Sequence, residues 1–300
     1  MEISAHWQKI DLTGLSGTFM VIGAPDTGKS TFCRYLFARL RANAVPTAYL
    51  DGDLGQSGLG PPATLTVAFS AQGERTAQPD RFVYRYFVGN TSPQGQMLHL
   101  LAGAARLRNM ALQSGVTCVV YDTCGFVDPL RGPYLRLAEI DLLRPSRLFA
   151  IQRNQEIEHL LMPLRRSRRV EIVELAPSPA VSIRSPAHRR GRRAARFKDH
   201  FQNARSLAFD LSTKAVLPFA AFDRHRLVGL EDGRGLLMGL GIIESWEKKK
   251  NRLNLLTPLQ NVDAVDCLRL GTVQIDPVTF QDAPAGLPSA ALLSQQPHNQ

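Results

Sequence analysis

Two short stretches of this 300-residue chain carry the residue types that phosphate chemistry requires. The first, Gly23-Ala24-Pro25-Asp26-Thr27-Gly28-Lys29-Ser30-Thr31, follows the apolar run Phe19–Ile22 and opens a helical pattern. Strand, glycine-bounded loop and helix in that order make the phosphate loop of a nucleoside-triphosphate-binding fold. Glycine tolerates the positive φ that turns successive N–H groups inward onto phosphate oxygens, and the helix N-terminus adds its partial positive charge there. In such a loop Lys29 reaches the β- and γ-phosphates and Ser30 ligates Mg²⁺. The second stretch, Asp51-Gly52-Asp53-Leu54-Gly55-Gln56, closes another apolar run and is expected directly beside the phosphate-loop strand if connections are short. Phosphoryl transfer needs a group that orients or deprotonates the acceptor. An ordinary Asp-Gly turn explains Asp51-Gly52 but neither the second acid nor Gln56. Asp53 is therefore the candidate base and a candidate metal ligand, with Gln56 a candidate substrate contact.

Two further stretches add to these. Val119-Val120-Tyr121-Asp122 delivers an acid from a β-rich run, in the manner of the strand acid that meets Mg²⁺ through water in phosphate-loop proteins. Such strand-terminal acids are common, and the assignment of Asp122 leans on the loop at Gly23–Thr31. The following Thr123-Cys124-Gly125-Phe126 is placed to meet substrate, or else is a tight turn with Phe126 packed inside. Between Arg184 and Phe201 a helix begun by Ser185-Pro186 puts Arg189, Arg193 and Arg196 on one face, with Ala194, Phe197 and Phe201 as an apolar strip beside it. One side docks and the other presents guanidinium groups able to neutralise charge that develops on a transferring phosphate. A solvated basic helix is the alternative.

The elements that must position these residues alternate along the chain. Strands are expected near 18–23, 47–50, 82–88, 116–121, 147–151 and 170–175, and helices over 29–43, 96–113 and 156–164, as a parallel helix-covered sheet requires. The fold class is α/β, a P-loop NTPase with a mainly parallel sheet and a small β-rich C-terminal domain. Domain bounds are an N-terminal extension over 1–14, a kinase domain over 15–206 that includes the arginine-rich segment 184–201, a β-rich domain over 207–278 and a disordered tail over 279–300.

The net charge of +10 is concentrated: residues 165–198 hold eleven of the 36 Lys and Arg but two of the 26 acids. That concentration points to a polyanion as partner, nucleotide phosphates or a nucleic-acid backbone. Cys33, Cys118, Cys124 and Cys267 lack CxxC or metal-ligand spacing, so neither a disulfide framework nor a zinc site is indicated. With no long apolar run, a membrane partner is not expected and a cytoplasmic location is.

Taken together, several stretches resemble the P-loop polynucleotide 5′-hydroxyl kinase family, whose eukaryotic members include the RNA kinase subunit of the pre-mRNA cleavage and polyadenylation machinery and a ribosomal RNA processing kinase. They are Gly23–Thr31, Asp51–Gln56, Gly89-Asn90-Thr91-Ser92-Pro93, Asp122–Phe126, Leu142–Pro145, Gln152–Glu156, and the arginine run ending at Phe201; Gly239–Ile243 and Leu268–Gly271 resemble the terminal domain of prokaryotic members. The resemblance implies ATP and Mg²⁺ held by Lys29, Ser30 and Thr31, activation of a 5′-hydroxyl of RNA or DNA by Asp53, a substrate clasp at Thr123–Phe126 and a lid carrying Arg190 and Arg193. Phe126 stands where several eukaryotic members carry Trp, which leaves less ring area to stack on a base or sugar. Those members also carry a domain before the loop, which here begins at residue 23. Nucleobase contacts are then assigned to Gln152 and Asn154, at a strand end. An RNA-processing or repair nuclease or ligase is a partner by analogy. Two other readings stand beside the kinase: a nucleotide-dependent switch or GTPase, against which the lack of an Asn-Lys-x-Asp motif counts, and an inactive nucleic-acid-binding scaffold.

Overall fold

The computed structural model describes residues 5–12, 14, 16–69, 82–178, 181–218 and 222–285. Its chain divides into two units, one of residues up to 185 without 89–91, the other of residues 89–91 and 186 onward.

The first unit runs α1 (Ala5–Gln8), β1 (Gly17–Gly23), α2 (Lys29–Ala42), β2 (Thr47–Gly52), β3 (Thr64–Phe69), β4 (Phe82–Phe87), α3 (Met97–Gln113), β5 (Cys118–Thr123), α4 (Gly132–Leu143), β6 (Arg147–Ile151), α5 (Glu158–Ser167) and β7 (Glu171–Leu175). The sheet order is β4-β3-β2-β5-β1-β6-β7. The strands β2, β5, β1, β6 and β7 are parallel, while β3 and β4 are added antiparallel at one edge. Near-continuous apolar runs such as Phe19–Ile22 and Cys118–Tyr121 are wholly buried, as strands covered on both faces must be.

One expectation about order is corrected. β2 does not lie beside the phosphate-loop strand, because β5 is inserted between them and pairs with both. The register sets Val21 of β1, Asp122 of β5 and Asp51 of β2 in one row. The chain leaves β1 through α2 for β2 on one side and returns from β5 to β6 on the other, so the loop after β1 opens at the switch point where α/β sheets bind ligands. The sequence reading also lacks β3 and α4. The short helix α1 and the residues after it belong to the core rather than standing apart: Trp7 is fully buried, with its ring 5.1 Å from Phe32 of α2. Arg39 donates to the carbonyls of Trp7, Gln8 and Ile10 at 3.4, 3.4 and 3.2 Å.

The second unit contains α6 (Pro186–His200), β8 (Arg205–Asp210), β9 (Ala215–Leu217), β10 (Arg226–Glu231), β11 (Leu237–Glu247), β12 (Arg252–Thr257), β13 (Cys267–Ile275) and β14 (Asp282–Pro284). Its sheet runs β14-β13-β10-β11-β12-β8, with β9 parallel against β13. Val228, Leu230, Ile243, Leu253, Leu255 and Leu268 form its core. The predicted amphipathic helix is α6, with Phe197 buried on it and Phe201 buried just past its end. The arginine helix thus packs with the β-rich unit, whereas a domain running to 206 groups it with the kinase fold. The stretch from 279, expected to be disordered, supplies β14, which pairs antiparallel with β13. Residues 286–300 of that stretch lie outside the described residues.

Candidate phosphoryl-transfer site

The phosphate loop is built for an anion. Gly28 takes φ +90° at the start of α2, and that helix begins with neither a side-chain cap nor an acid in its first turn, so its N-terminal N–H groups and their partial charge are left for a ligand. Lys29 is buried and donates from Nζ to the carbonyl of Ala24 at 2.7 Å, which curls the side chain back over the loop. Thr27 Oγ1 donates to the same carbonyl at 3.0 Å. Burial lowers the Lys29 pKa, against the opposing pull of Asp53 and Asp122.

The acids divide the work. Asp51, buried at the end of β2, accepts from Ser57 Oγ and from the N–H groups of Gly58 and Leu59 on Oδ2, and from the Asp53 N–H on Oδ1 at 3.1 Å. It shapes the loop, with both of its oxygens bonded to groups of residues 53–59. Asp53 is half-buried and accepts from Gly55 and Gln56 N–H on Oδ1 at 3.1 and 3.0 Å, while among the described residues its Oδ2 has no partner. Burial raises its pKa, with Lys29 pulling the other way. The Gln56 side chain donates to the carbonyl of Gly55.

Asp122 ends β5 fully buried. Its Oδ2 accepts from Tyr49 Oη at 2.8 Å, the nearby Ser30 hydroxyl favours the charged form, and among the described residues Oδ1 is buried without a partner. Desolvation, with Asp51 and Asp53 close by, pushes its pKa up to about 7. A buried carboxylate oxygen left over beside a serine hydroxyl fits a hard cation. No cluster of three or more His, Cys, Asp or Glu able to cage a metal exists among the described residues. That combination suits Mg²⁺, which takes one or two carboxylates and fills its remaining positions with water and substrate phosphate.

The residues after β5 meet the expectation of a substrate contact unevenly. Thr123 is fully buried and its hydroxyl donates to the Val21 carbonyl at 2.7 Å, so it ties β5 to β1 and is not available to a substrate. Gly125 packs against the phosphate loop: a Cβ there would lie 2.9 Å from Pro25 N and 3.0 Å from Pro25 Cα. Phe126 is half-buried.

Sequence reasoning missed what holds that loop. Arg136 of α4 is 2% exposed and donates to the Cys124 carbonyl at 2.7 Å and to the Phe126 carbonyl at 3.3 Å. Its other branch pairs with Glu139, which also accepts from Tyr121 Oη. An Arg and a Glu three apart, in step with the apolar residues Leu135, Ile140 and Leu143 of the helix, was the available signal. At the far flank of the loop, Gln152 donates to Glu158 and Glu174 from Nε2, and the Asn154 N–H goes to Glu156. It is Arg153, between them, that reaches the phosphate loop, donating to the Asp26 carbonyl. The Arg184 N–H adds a bond to Asp26 Oδ2 at 3.0 Å.

The arginines expected to serve phosphates sit on α6 in the second unit. Arg190 is exposed, Arg189 and Arg196 are half-buried, and Arg193 pairs with Asp282.

This loop, these acids and this sheet order define a P-loop nucleotide-binding protein. Residues 23–203 match the family described as mRNA cleavage and polyadenylation factor CLP1 P-loop, and the chain belongs to that family. It is 24% identical to a polyribonucleotide 5′-hydroxyl-kinase of Pyrococcus abyssi, over 89% of this chain and 90% of that one. To a protein of the same name from Thermococcus kodakarensis it is 26% identical, over 86% and 88%. A CLP1 homolog of Drosophila sechellia is 29% identical over 64% of this chain and 47% of its own length. The solved structure of wild-type Clp1p with Pcf11p has the same fold, with a TM-score of 0.64 at 12% identity, over 90% of this chain and 77% of that one.

Proposed function

We propose that this protein is an ATP-dependent polynucleotide 5′-hydroxyl kinase acting on RNA. The observation that carries the reading is Asp53, whose carboxylate keeps Oδ2 uncommitted beside Lys29 at the mouth of the phosphate loop. The archaeal relatives that match along nearly their whole length carry the name of that activity.

The N-terminal N–H groups of α2 and Lys29 bind and orient the triphosphate, and the loop around Gly125 and Phe126 fixes the acceptor end. The RNA 5′-oxygen attacks the γ-phosphorus in line, its proton passes to Asp53, and the bond from that phosphorus to the β-phosphate oxygen breaks, leaving ADP and a 5′-phosphate. A raised pKa makes Asp53 a stronger base than an exposed carboxylate and lowers the cost of taking that proton. Ser30 and Asp122, with Asp53 nearby, are the residues that would hold Mg²⁺, which when bound neutralises phosphate charge. Lys29 stabilises charge on the transferring group, and the guanidinium groups at 189, 190, 193 and 196 supply counter-charge for polyanionic substrate.

The test is transfer of labelled γ-phosphate from ATP to matched 5′-hydroxyl RNA and DNA oligonucleotides in Mg²⁺, with Asp53→Asn alongside. Transfer that favours RNA and is lost in the variant supports the reading. Retained ATP binding without transfer to either oligonucleotide refutes it.

A further inference from the structure

The stretch Gly89–Thr91 and the segment beyond residue 279 have no part in the reaction described above, yet both converge on one carboxylate. Asp276 Oδ1 accepts the N–H groups of Val278 and Thr279, each at 2.8 Å, and turns the chain so that Asp282 faces Ile275 across the β13–β14 pair. Phe280 within this turn stacks on Phe201, with ring centroids 6.0 Å apart and planes 19° off parallel, which holds the turn against the end of α6. Thr91 Oγ1 donates to Asp282 Oδ2 at 2.9 Å. The N–H of Thr272 to the Gly89 carbonyl and Asn90 Nδ2 to Thr272 Oγ1 secure that strip of chain on β13.

Against this fixed acid lies Arg193. Its Nε is 3.0 Å from Asp282 Oδ1 and 3.2 Å from Oδ2, with the two side chains 18% and 10% exposed. The grip is on the inner nitrogen. A guanidinium carries five N–H donors in a rigid planar fork, and holding Nε fixes the plane while leaving the outer pair of nitrogens for a second, two-pronged acceptor. Among the described residues, no partner other than Asp282 is recorded for Arg193. A free arginine surrenders rotamer entropy when it settles on a phosphate, and a carboxylate that has already fixed its orientation removes much of that cost.

We infer that Asp282 is a positioning residue: with Thr91 bonded to its far oxygen, it pre-orients the Arg193 guanidinium so that the outer nitrogens are presented to a phosphate of the substrate. The inference rests on the kinase reading above for the identity of that phosphate. It gives Gly89–Thr91 a task, since Thr91 completes the carboxylate's hydrogen bonding, and it gives β14 one as well, since Asp282 lies on it.

The full chain is compared with Asp282→Asn, Asp282→Glu, Arg193→Lys and the double variant Asp282→Asn with Arg193→Lys. Asp282→Asn is expected to lower kcat roughly 10- to 100-fold with KM for ATP within about twofold of the parent. Asp282→Glu should recover most of the loss, and the double variant should be no worse than Arg193→Lys alone. Unchanged kcat in Asp282→Asn while Arg193→Lys is impaired, or losses that multiply in the double variant, would overturn the inference and leave the kinase reading intact. A second readout is independent of turnover. In ¹⁵N-arginine-labelled protein the Arg193 Nε–H resonance should be shifted and slow to exchange in the parent and lost in Asp282→Asn. An Nε–H signal that Asp282→Asn does not change would overturn the inference whether or not the protein transfers phosphate.

Discussion

The phosphate-loop edge of the first unit and the arginine helix of the second both offer positive charge to phosphate, but they are constructed in opposite ways. At the loop the donors are main-chain N–H groups and one buried lysine, and their geometry is set by residues within a few positions of one another, from Ala24 to Ser30. On α6 the donors are long side chains on a half-exposed helix, and one of them, Arg193, is held by an acid 89 residues away. A backbone cradle is rigid at no further cost, because the fold that makes the helix also makes the cradle. Long cations must be braced from outside or left to search, so charge on a helix surface becomes a positioned group only where tertiary structure supplies the brace.

Damage at the loop and at an exposed arginine of α6 should accordingly differ in size and kind. Lys29→Ala should reduce kcat by about 10³-fold while leaving RNA affinity near the parent value, as measured by γ-phosphate transfer and by RNA binding without nucleotide. Arg136→Met, which leaves Glu139 charged and buried without its partner, should cost about 3–5 kcal/mol of stability in a urea titration; a loss under about 1 kcal/mol would mean the Arg136 network is not what holds the Cys124–Phe126 loop. Gly125→Ala should cost about 1–3 kcal/mol, because the added methyl meets the Pro25 backbone, which cannot swing aside as a side chain can, and ATP affinity should fall with it. Arg190→Ala, in the exposed region, should raise KM for RNA by only about fivefold and lower the slope of log affinity against log salt by about 1, with kcat nearly unchanged. A large kcat loss in Arg190→Ala would mean that an exposed arginine is positioned as firmly as Arg193, whose plane Asp282 holds.

A pH-dependent effect concerns Asp122. Its folded-state pKa of about 7 lies above the ordinary carboxylate value of 3.8. Between those values the folded chain binds the extra proton, so this group favours the folded state at low pH and its contribution declines as pH rises through the window. Without nucleotide or Mg²⁺ the protein should melt at a lower temperature at pH 8 than at pH 5 by a margin that shrinks in Asp122→Asn. Mg²⁺ should stabilise the parent more at the higher pH.

The legible parts of this molecule are those where local pattern and tertiary outcome coincide. The apolar runs that became β1, β5 and β6 announce themselves, as do the loop at Gly23–Thr31 and the amphipathic face of α6 with Phe197 inward. β3 was hidden because Thr64-Leu65-Thr66-Val67 follows a Gly- and Pro-rich loop and all its residues are buried, threonines included, so its alternation reads as a half-exposed surface that does not exist. The apolar stripe of α4 is broken by Arg136 and Glu139, which are buried only because they satisfy one another and the loop after β5. β14 sits in a stretch rich in Ala, Pro and Gln, whose composition argues for disorder and whose order comes from pairing with β13.

By itself, the sequence determined the phosphate loop, the acids at 53 and 122, the parallel alternation of the first unit and the basic helix, because each is specified by residues close together in the chain. Only the tertiary structure decided that β5 separates β1 from β2 and so brings Asp51 and Asp122 into one row, that Thr123 is a tie between strands, that Arg136 supports the loop over Pro25, and that Asp282 takes hold of Arg193. Strand order, the burial of a charged pair and the meeting of an acid with a distant arginine all depend on contacts between segments far apart in the chain, and local propensity carries no record of which distant segment will arrive.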